Sequence, residues 1–185
     1  MPTLLLLNGA PGTGKSVLAR RWADSRPLSL VLDLDRLRST LGAWRDDVLA
    51  AGRRARLVAL GAAEAQLRAG GDVVVPQLLA RPDLVEALDA SCGSTGARFV
   101  EVVLTADPED LVARLAARVA ASGSDDGADP WSALEGPPTV ERVRALAAGV
   151  DALVATRPGT HRLVTVPGDV DATFARLAAA VGPTG

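Results

Sequence analysis

Near the amino terminus, Gly9-Ala10-Pro11-Gly12-Thr13-Gly14-Lys15-Ser16 gathers the groups needed to hold a chain of phosphates. Glycines at these spacings let the backbone turn its N–H groups inward, and a helix starting at Gly14 adds the positive end of its dipole. Lys15 carries an ammonium that reaches the terminal phosphates, and the Ser16 hydroxyl suits Mg²⁺. Pro11, Thr13 and Val17 complete the predicted contact surface of the loop. Lys15 is the only lysine among 20 basic residues; the rest are arginine. A compact ammonium and a planar guanidinium are not interchangeable at a phosphate clamp, so this one departure from arginine falls where chemistry demands it.

Phosphoryl transfer to a hydroxyl also needs a carboxylate to accept a proton and cations to hold developing charge. Asp33 and Asp35 end the second apolar run, Leu28 to Leu34. For Asp35 two readings stand: a general base, or the N-cap of a helix starting at Arg36. Asp33 points to the opposite face if the strand persists, which makes it a helix cap or a water-mediated Mg²⁺ partner. The third apolar run ends Val73-Val74-Val75-Pro76-Gln77 without the Asp-Glu pair of motor ATPases. An Asn-Lys-x-Asp guanine motif is excluded because Lys15 is the sole lysine.

These groups must be positioned by alternating strands and helices. Strands are expected at Thr3 to Asn8, Leu28 to Leu34, Asp72 to Pro76, Arg98 to Leu104 and His161 to Val166. Helices are expected at Gly14 to Asp24, Ala51 to Ala69, Pro82 to Ala90, Asp107 to Ala121, Thr139 to Ala155 and Asp169 to Val181. The pattern calls for a three-layer α/β/α domain spanning 1–185 with a five-stranded parallel sheet, its ligands at the carboxyl ends of the strands. Residues 119–138, polar, glycine-rich and acidic, read as a lid or connector.

With the full P-loop pattern in place, the sequence resembles the small P-loop kinases, especially polynucleotide kinase domains, chloramphenicol phosphotransferase and zeta-toxin-like kinases. The resemblance runs to about Arg144 and implies ATP with Mg²⁺ as donor. Asp35-Arg36-Leu37-Arg38 matches the Asp-x-x-Arg element of polynucleotide kinases, which implies Asp35 as base and Arg38 on the substrate. Arg114 and Arg118, four residues apart on one helix face, match the lid arginines of these families, which clamp phosphates or lie on adenine; the alternative is a solvated face. Gln77 sits where polynucleotide kinases have Asp-Thr-Asn. The Asp is missing, so the resemblance leaves Gln77 to orient phosphate or substrate through its amide.

On the acceptor side, Trp44 is either a ring-stacking platform or core, and Arg53, Arg54 and Arg56 follow it. Asp125, Asp126, Asp129 and Glu135 either attract a cationic acceptor or are simply solvated. His161 is assigned no role. The expected reaction is transfer from ATP to the hydroxyl of a small molecule. Alternatives are a 5′-hydroxyl polynucleotide acceptor and a regulatory ATP-binding module with little turnover. A net charge of -2 disfavours a nucleic-acid partner. No apolar run approaches the ~20 residues needed to cross a bilayer, and the first residues lack the basic region of a signal peptide. With one cysteine, no intramolecular disulfide can form. A cytoplasmic setting is expected.

Overall fold

A computed structural model of the protein describes residues 1–121 and 139–182. The predicted lid lies almost wholly outside these residues, as do Asp125, Asp126, Asp129 and Glu135. The elements run β1 (Thr3–Gly9), α1 (Lys15–Asp24), β2 (Leu30–Val31), α2 (Leu34–Ser39), α3 (Val48–Arg68), β3 (Val73–Pro76) and α4 (Pro82–Thr95). There follow β4 (Arg98–Thr105), α5 (Pro108–Ala121), α6 (Val140–Ala155), β5 (His161–Val164) and α7 (Val170–Val181). The sheet has five parallel strands in the order β2-β3-β1-β4-β5.

Strand β1 is central, and its leucines alternate between two cores. Leu4 and Leu6 join Val73 and Val75 beneath Ala59, Ala63 and Leu67 of α3 and Leu84, Val85 and Leu88 of α4. Leu5 and Leu7 join Val74, Val102 and Leu104 beneath Leu18, Ala19 and Trp22 of α1 and Leu177 of α7. A sheet buried on both faces explains why β1 and β3 read as continuous apolar runs rather than alternating ones. Helix α3 turns small residues, Ala51, Ala55, Ala59 and Ala63, toward the interior at intervals of four, which lets it lie close to the sheet.

The second strand is shorter than its apolar run suggests. Leu28 is exposed, with a left-handed backbone (φ 59°), so pairing starts only at Leu30. At the other end Asp33 accepts hydrogen bonds from Asp35 N (3.1 Å) and Arg36 N (3.2 Å), starting α2 at Leu34. The expected strand through Leu34 is therefore corrected to Leu30–Val31. The cap in this turn is Asp33, and Asp35 lies inside the helix it begins.

Candidate functional site

The loop between β1 and α1 is built by glycines that other residues could not replace. Gly9, Gly12 and Gly14 have φ of 141°, 86° and 86°. A Cβ at Gly9 would collide with the Leu104 carbonyl oxygen, and one at Gly12 would sit 3.1 Å from Leu111 O and 3.3 Å from Leu115 Cγ. The loop is thus fitted between β4 and α5, with Ala10 packed in one apolar cluster with Leu111, Leu115 and Val143. Thr13 is buried, its hydroxyl donating to Ala10 O at 2.8 Å.

Left-handed Gly14 caps α1 without any side-chain hydrogen bond, and no acidic residue occupies the first turn. That leaves the first-turn N–H groups and the positive helix end for an anion, as a phosphate would require. Ser16 and Val17 are exposed on this turn. Among the described residues no cluster of three or more His, Cys, Asp or Glu could hold a metal. Mg²⁺ bound with substrate phosphates needs only one or two protein ligands, and Ser16 fits that demand.

The Lys15 ammonium donates to Gly9 O (2.8 Å) and Ala10 O (2.9 Å). Burial pulls its pKa down to about 8; Asp35 and Asp33 push it back up, and Arg118 adds to the lowering. These opposing fields place Lys15 within electrostatic reach of both acids and of the α5 arginine.

The Asp35 carboxylate pairs with Arg38 Nη1 at 3.1 Å, and both side chains are more than four-fifths buried (19% and 14% exposed). Arg38 also lies over the Trp44 ring (5.1 Å to its centroid), as does Arg45 (4.5 Å). Trp44 is itself largely buried, directly after Ala43, a non-glycine residue at φ 51°. Trp44 is thus a packed ring whose π-surface is occupied by guanidinium groups.

Arg114 is partly buried, with Nη1 3.5 Å from Gly12 O and Nη2 buried without a hydrogen-bond partner. Arg118, one turn on, is exposed. Gln77 continues the ladder beyond β3 by donating its N–H to Leu7 O (3.0 Å), while its Oε1 is buried without a partner. Arg53, Arg54 and Arg56 are exposed on α3, and His161 is exposed on edge strand β5.

One residue at the site escaped the sequence reading. Asn8 is fully buried; its Oδ1 accepts from Gly9 N (2.8 Å) and Leu79 N (2.9 Å), and its Nδ2 donates to Leu79 O (3.0 Å). The available signal was an amide side chain closing a run of four leucines. A polar group in a strand buried on both faces must find partners.

The AAA domain family profile matches residues 4–130. No curated protein matches the sequence. Among solved structures, one similar fold is a protein from Chloroflexus aurantiacus j-10-fl, provisionally assigned as a kinase. It is 19% identical with a TM-score of 0.65, over 95% of this chain and 93% of that one. Another is the tunicamycin resistance protein of Deinococcus radiodurans, 17% identical with a TM-score of 0.66, over 100% of this chain and 98% of that one. At these identities the likeness is one of fold. With the family match over residues 4–130, the loop geometry and the parallel sheet taken together, the chain belongs to the AAA domain family and has the P-loop fold.

Proposed function

We propose that the protein transfers the γ-phosphoryl group of ATP·Mg to a hydroxyl of a small-molecule acceptor, such as an antibiotic, a nucleoside or a nucleotide-like metabolite. The observation that carries this reading is the glycine-built phosphate loop holding Lys15, with the buried Asp35–Arg38 pair of α2 within electrostatic reach of that lysine. A carboxylate near the lysine can serve Mg²⁺ in a nucleotide-binding switch or take the acceptor proton in a kinase, and Asp35→Asn separates the two.

In this reading the loop N–H groups and Lys15 hold the β- and γ-phosphates, and Arg114 and Arg118 face the charge that develops on the transferred group. Asp35, held by Arg38, accepts the proton of the acceptor hydroxyl as the new O–P bond forms and the β–γ bridge bond breaks, leaving ADP. Ser16 would hold Mg²⁺, which would neutralise phosphate charge when bound. Asp33 supports the reaction from one residue further out, by fixing the start of α2. Gln77 orients phosphate or acceptor through its side-chain amide. Arg38 and Trp44 border the acceptor side.

The test is ADP release from ATP·Mg against pooled acceptors, with Asp35→Asn beside the wild type. The pools hold nucleosides, aminoglycosides, chloramphenicol-like compounds, 5′-hydroxyl oligonucleotides and tunicamycin, the last prompted by the fold neighbour from Deinococcus. Stimulation of the wild type alone is the expected result. A response confined to oligonucleotides would redirect the assignment to polynucleotides, and ATP binding without turnover in any pool would favour a regulatory module. Lys15→Ala is expected to weaken ATP·Mg binding about a hundredfold or more, and unaltered affinity and turnover would overturn the phosphate-loop reading.

A further inference from the structure

The side chain of Asn8 does what a backbone residue would do in a sheet. Strand pairing between β1 and β3 ends at Leu7↔Pro76 and is prolonged by Gln77 N–H to Leu7 O. Beyond that point the chains diverge: β1 turns into the phosphate loop, and the β3 chain continues through Leu78 to α4. The Asn8 amide bridges the divergence, binding both the N–H and the C=O of Leu79 while its Oδ1 also takes the N–H of Gly9. The segment 77–79 is therefore tied to β1 at both ends, by Leu7 O at Gln77 and by the Asn8 side chain at Leu79.

We propose that Asn8 is a positioning residue that locks the first residue of the phosphate loop to the segment carrying Gln77, so that the nucleotide cradle and that segment respond as one body. The inference rests on the phosphate-loop reading above. The chemistry of the clamp is specific to an amide. It needs an acceptor that can take two N–H groups and a donor for a carbonyl, in one short planar side chain. Aspartate keeps the acceptor but sets a negative charge against Leu79 O, and leucine keeps the volume but has neither function. Gly9 N–H is committed to Asn8, so the loop meets phosphate with its later N–H groups.

Hydrogen exchange read together with calorimetric titration of ATP·Mg tests this, using wild type, Asn8→Leu, Gln77→Ala and Lys15→Ala. In the wild type, ATP·Mg is expected to slow exchange of the amides at 77–80, although the proposed phosphate contacts begin in the loop. Gln77→Ala leaves the clamp intact and is expected to keep that response. Asn8→Leu is expected to lose the response at Leu79 and to bind ATP·Mg about tenfold more weakly, because the loop is no longer preorganised. A role confined to stability would lower the melting temperature of Asn8→Leu and leave the response in place.

Should Asn8→Leu fail to fold, the wild-type and Gln77→Ala arms still decide. ATP·Mg binding that leaves 77–80 exchange unchanged, with Lys15→Ala abolishing that binding, overturns the clamp and keeps the phosphate-loop reading. Absence of ATP·Mg binding by the wild type overturns both.

Discussion

At the amino ends of the strands, buried charge is tied back into the protein. Glu101 on β4 accepts from Arg157 Nε (2.6 Å) and Thr160 Oγ1 (3.0 Å), and Arg157 also approaches Asp89 (3.7 Å). Asp72, just before β3, accepts from the N–H of Thr3 (2.7 Å) and lies 3.5 Å from Arg26 Nε, whose guanidinium covers the Trp22 ring. At the carboxyl ends, by contrast, the Lys15 ammonium and the Arg114 guanidinium donate to backbone carbonyls of the phosphate loop, Gly9 O, Ala10 O and Gly12 O. Buried polar atoms without a hydrogen-bond partner occur at both ends: Thr3 Oγ1, Arg26 Nε, Arg98 Nη2 and Glu101 Oε1 at the amino end, Arg38 Nε, Gln77 Oε1 and Arg114 Nη2 at the carboxyl end. What differs is the pairing: ion pairs at the amino end hold loops onto the sheet, whereas the loop cations at the carboxyl end rest on neutral backbone carbonyls, weaker partners than a carboxylate or a phosphate.

The sharpest way to break this contrast is Asp35→Asn. Loss of a general base costs on the order of a thousandfold in turnover, beyond the stability lost with the buried Arg38 pair, while ATP·Mg affinity stays near wild type. Comparable turnover by the variant in the acceptor assay would move Asp35 from chemistry to structure and make the two ends alike. The mirror experiment is Arg157→Ala. It strands the Glu101 carboxylate, which is 3% exposed. It is expected to cost about 3 kcal/mol in urea denaturation, since unpairing a buried charge is severe even when its partner is partly solvated. ATP·Mg affinity should not change; if it does, the amino end communicates with the nucleotide and the division fails.

Protonation sharpens the contrast by a smaller amount. The Lys15 pKa in the folded protein is lowered from 10.5 to about 8. Between these values the unfolded chain binds more protons than the native one, so this group makes the ligand-free protein more stable as pH rises from about 8 toward 10.5. Phosphate binding has the opposite dependence, because it uses the charged ammonium. ATP·Mg affinity is therefore expected to be flat below pH 8 and to fall by up to about tenfold per pH unit above it, as read by calorimetric titration. Lys15→Arg is expected to bind ATP·Mg more weakly, because a guanidinium does not replace the ammonium at the clamp, but with no such fall, since arginine stays charged throughout the range.

Sequence and structure agree where one residue's type dictates its conformation, and part where two segments compete. The glycines of the loop, the sole lysine and the continuous apolar runs of β1 and β3 were legible because each answers to a local constraint: positive φ, a phosphate, burial on two faces. The span Leu28 to Leu34 was not, because apolar content cannot show that Leu28 faces solvent or that Asp33 starts a helix. Asn8 was missed for a related reason. Its partners at Leu79 are 71 residues away, and only the assembled sheet brings them together.

Asp33 gives the smallest and most selective test, because the same capping chemistry recurs where no reaction is proposed. Asp33 caps α2 through Asp35 N and Arg36 N; Asp169 caps α7 through Ala172 N at 2.8 Å. Replacing either by alanine is expected to cost about 1 kcal/mol of stability, the usual value of an aspartate cap. Only α2 carries the proposed base and its arginine, so a frayed first turn there displaces Asp35, while fraying α7 displaces nothing that touches substrate. Asp33→Ala should therefore lower turnover several-fold beyond its stability cost, and Asp169→Ala should leave turnover unchanged in the same assay. Equal effects on turnover would mean that the α2 cap serves only the helix, and that Arg38, rather than the position of the turn, sets where the Asp35 carboxylate stands.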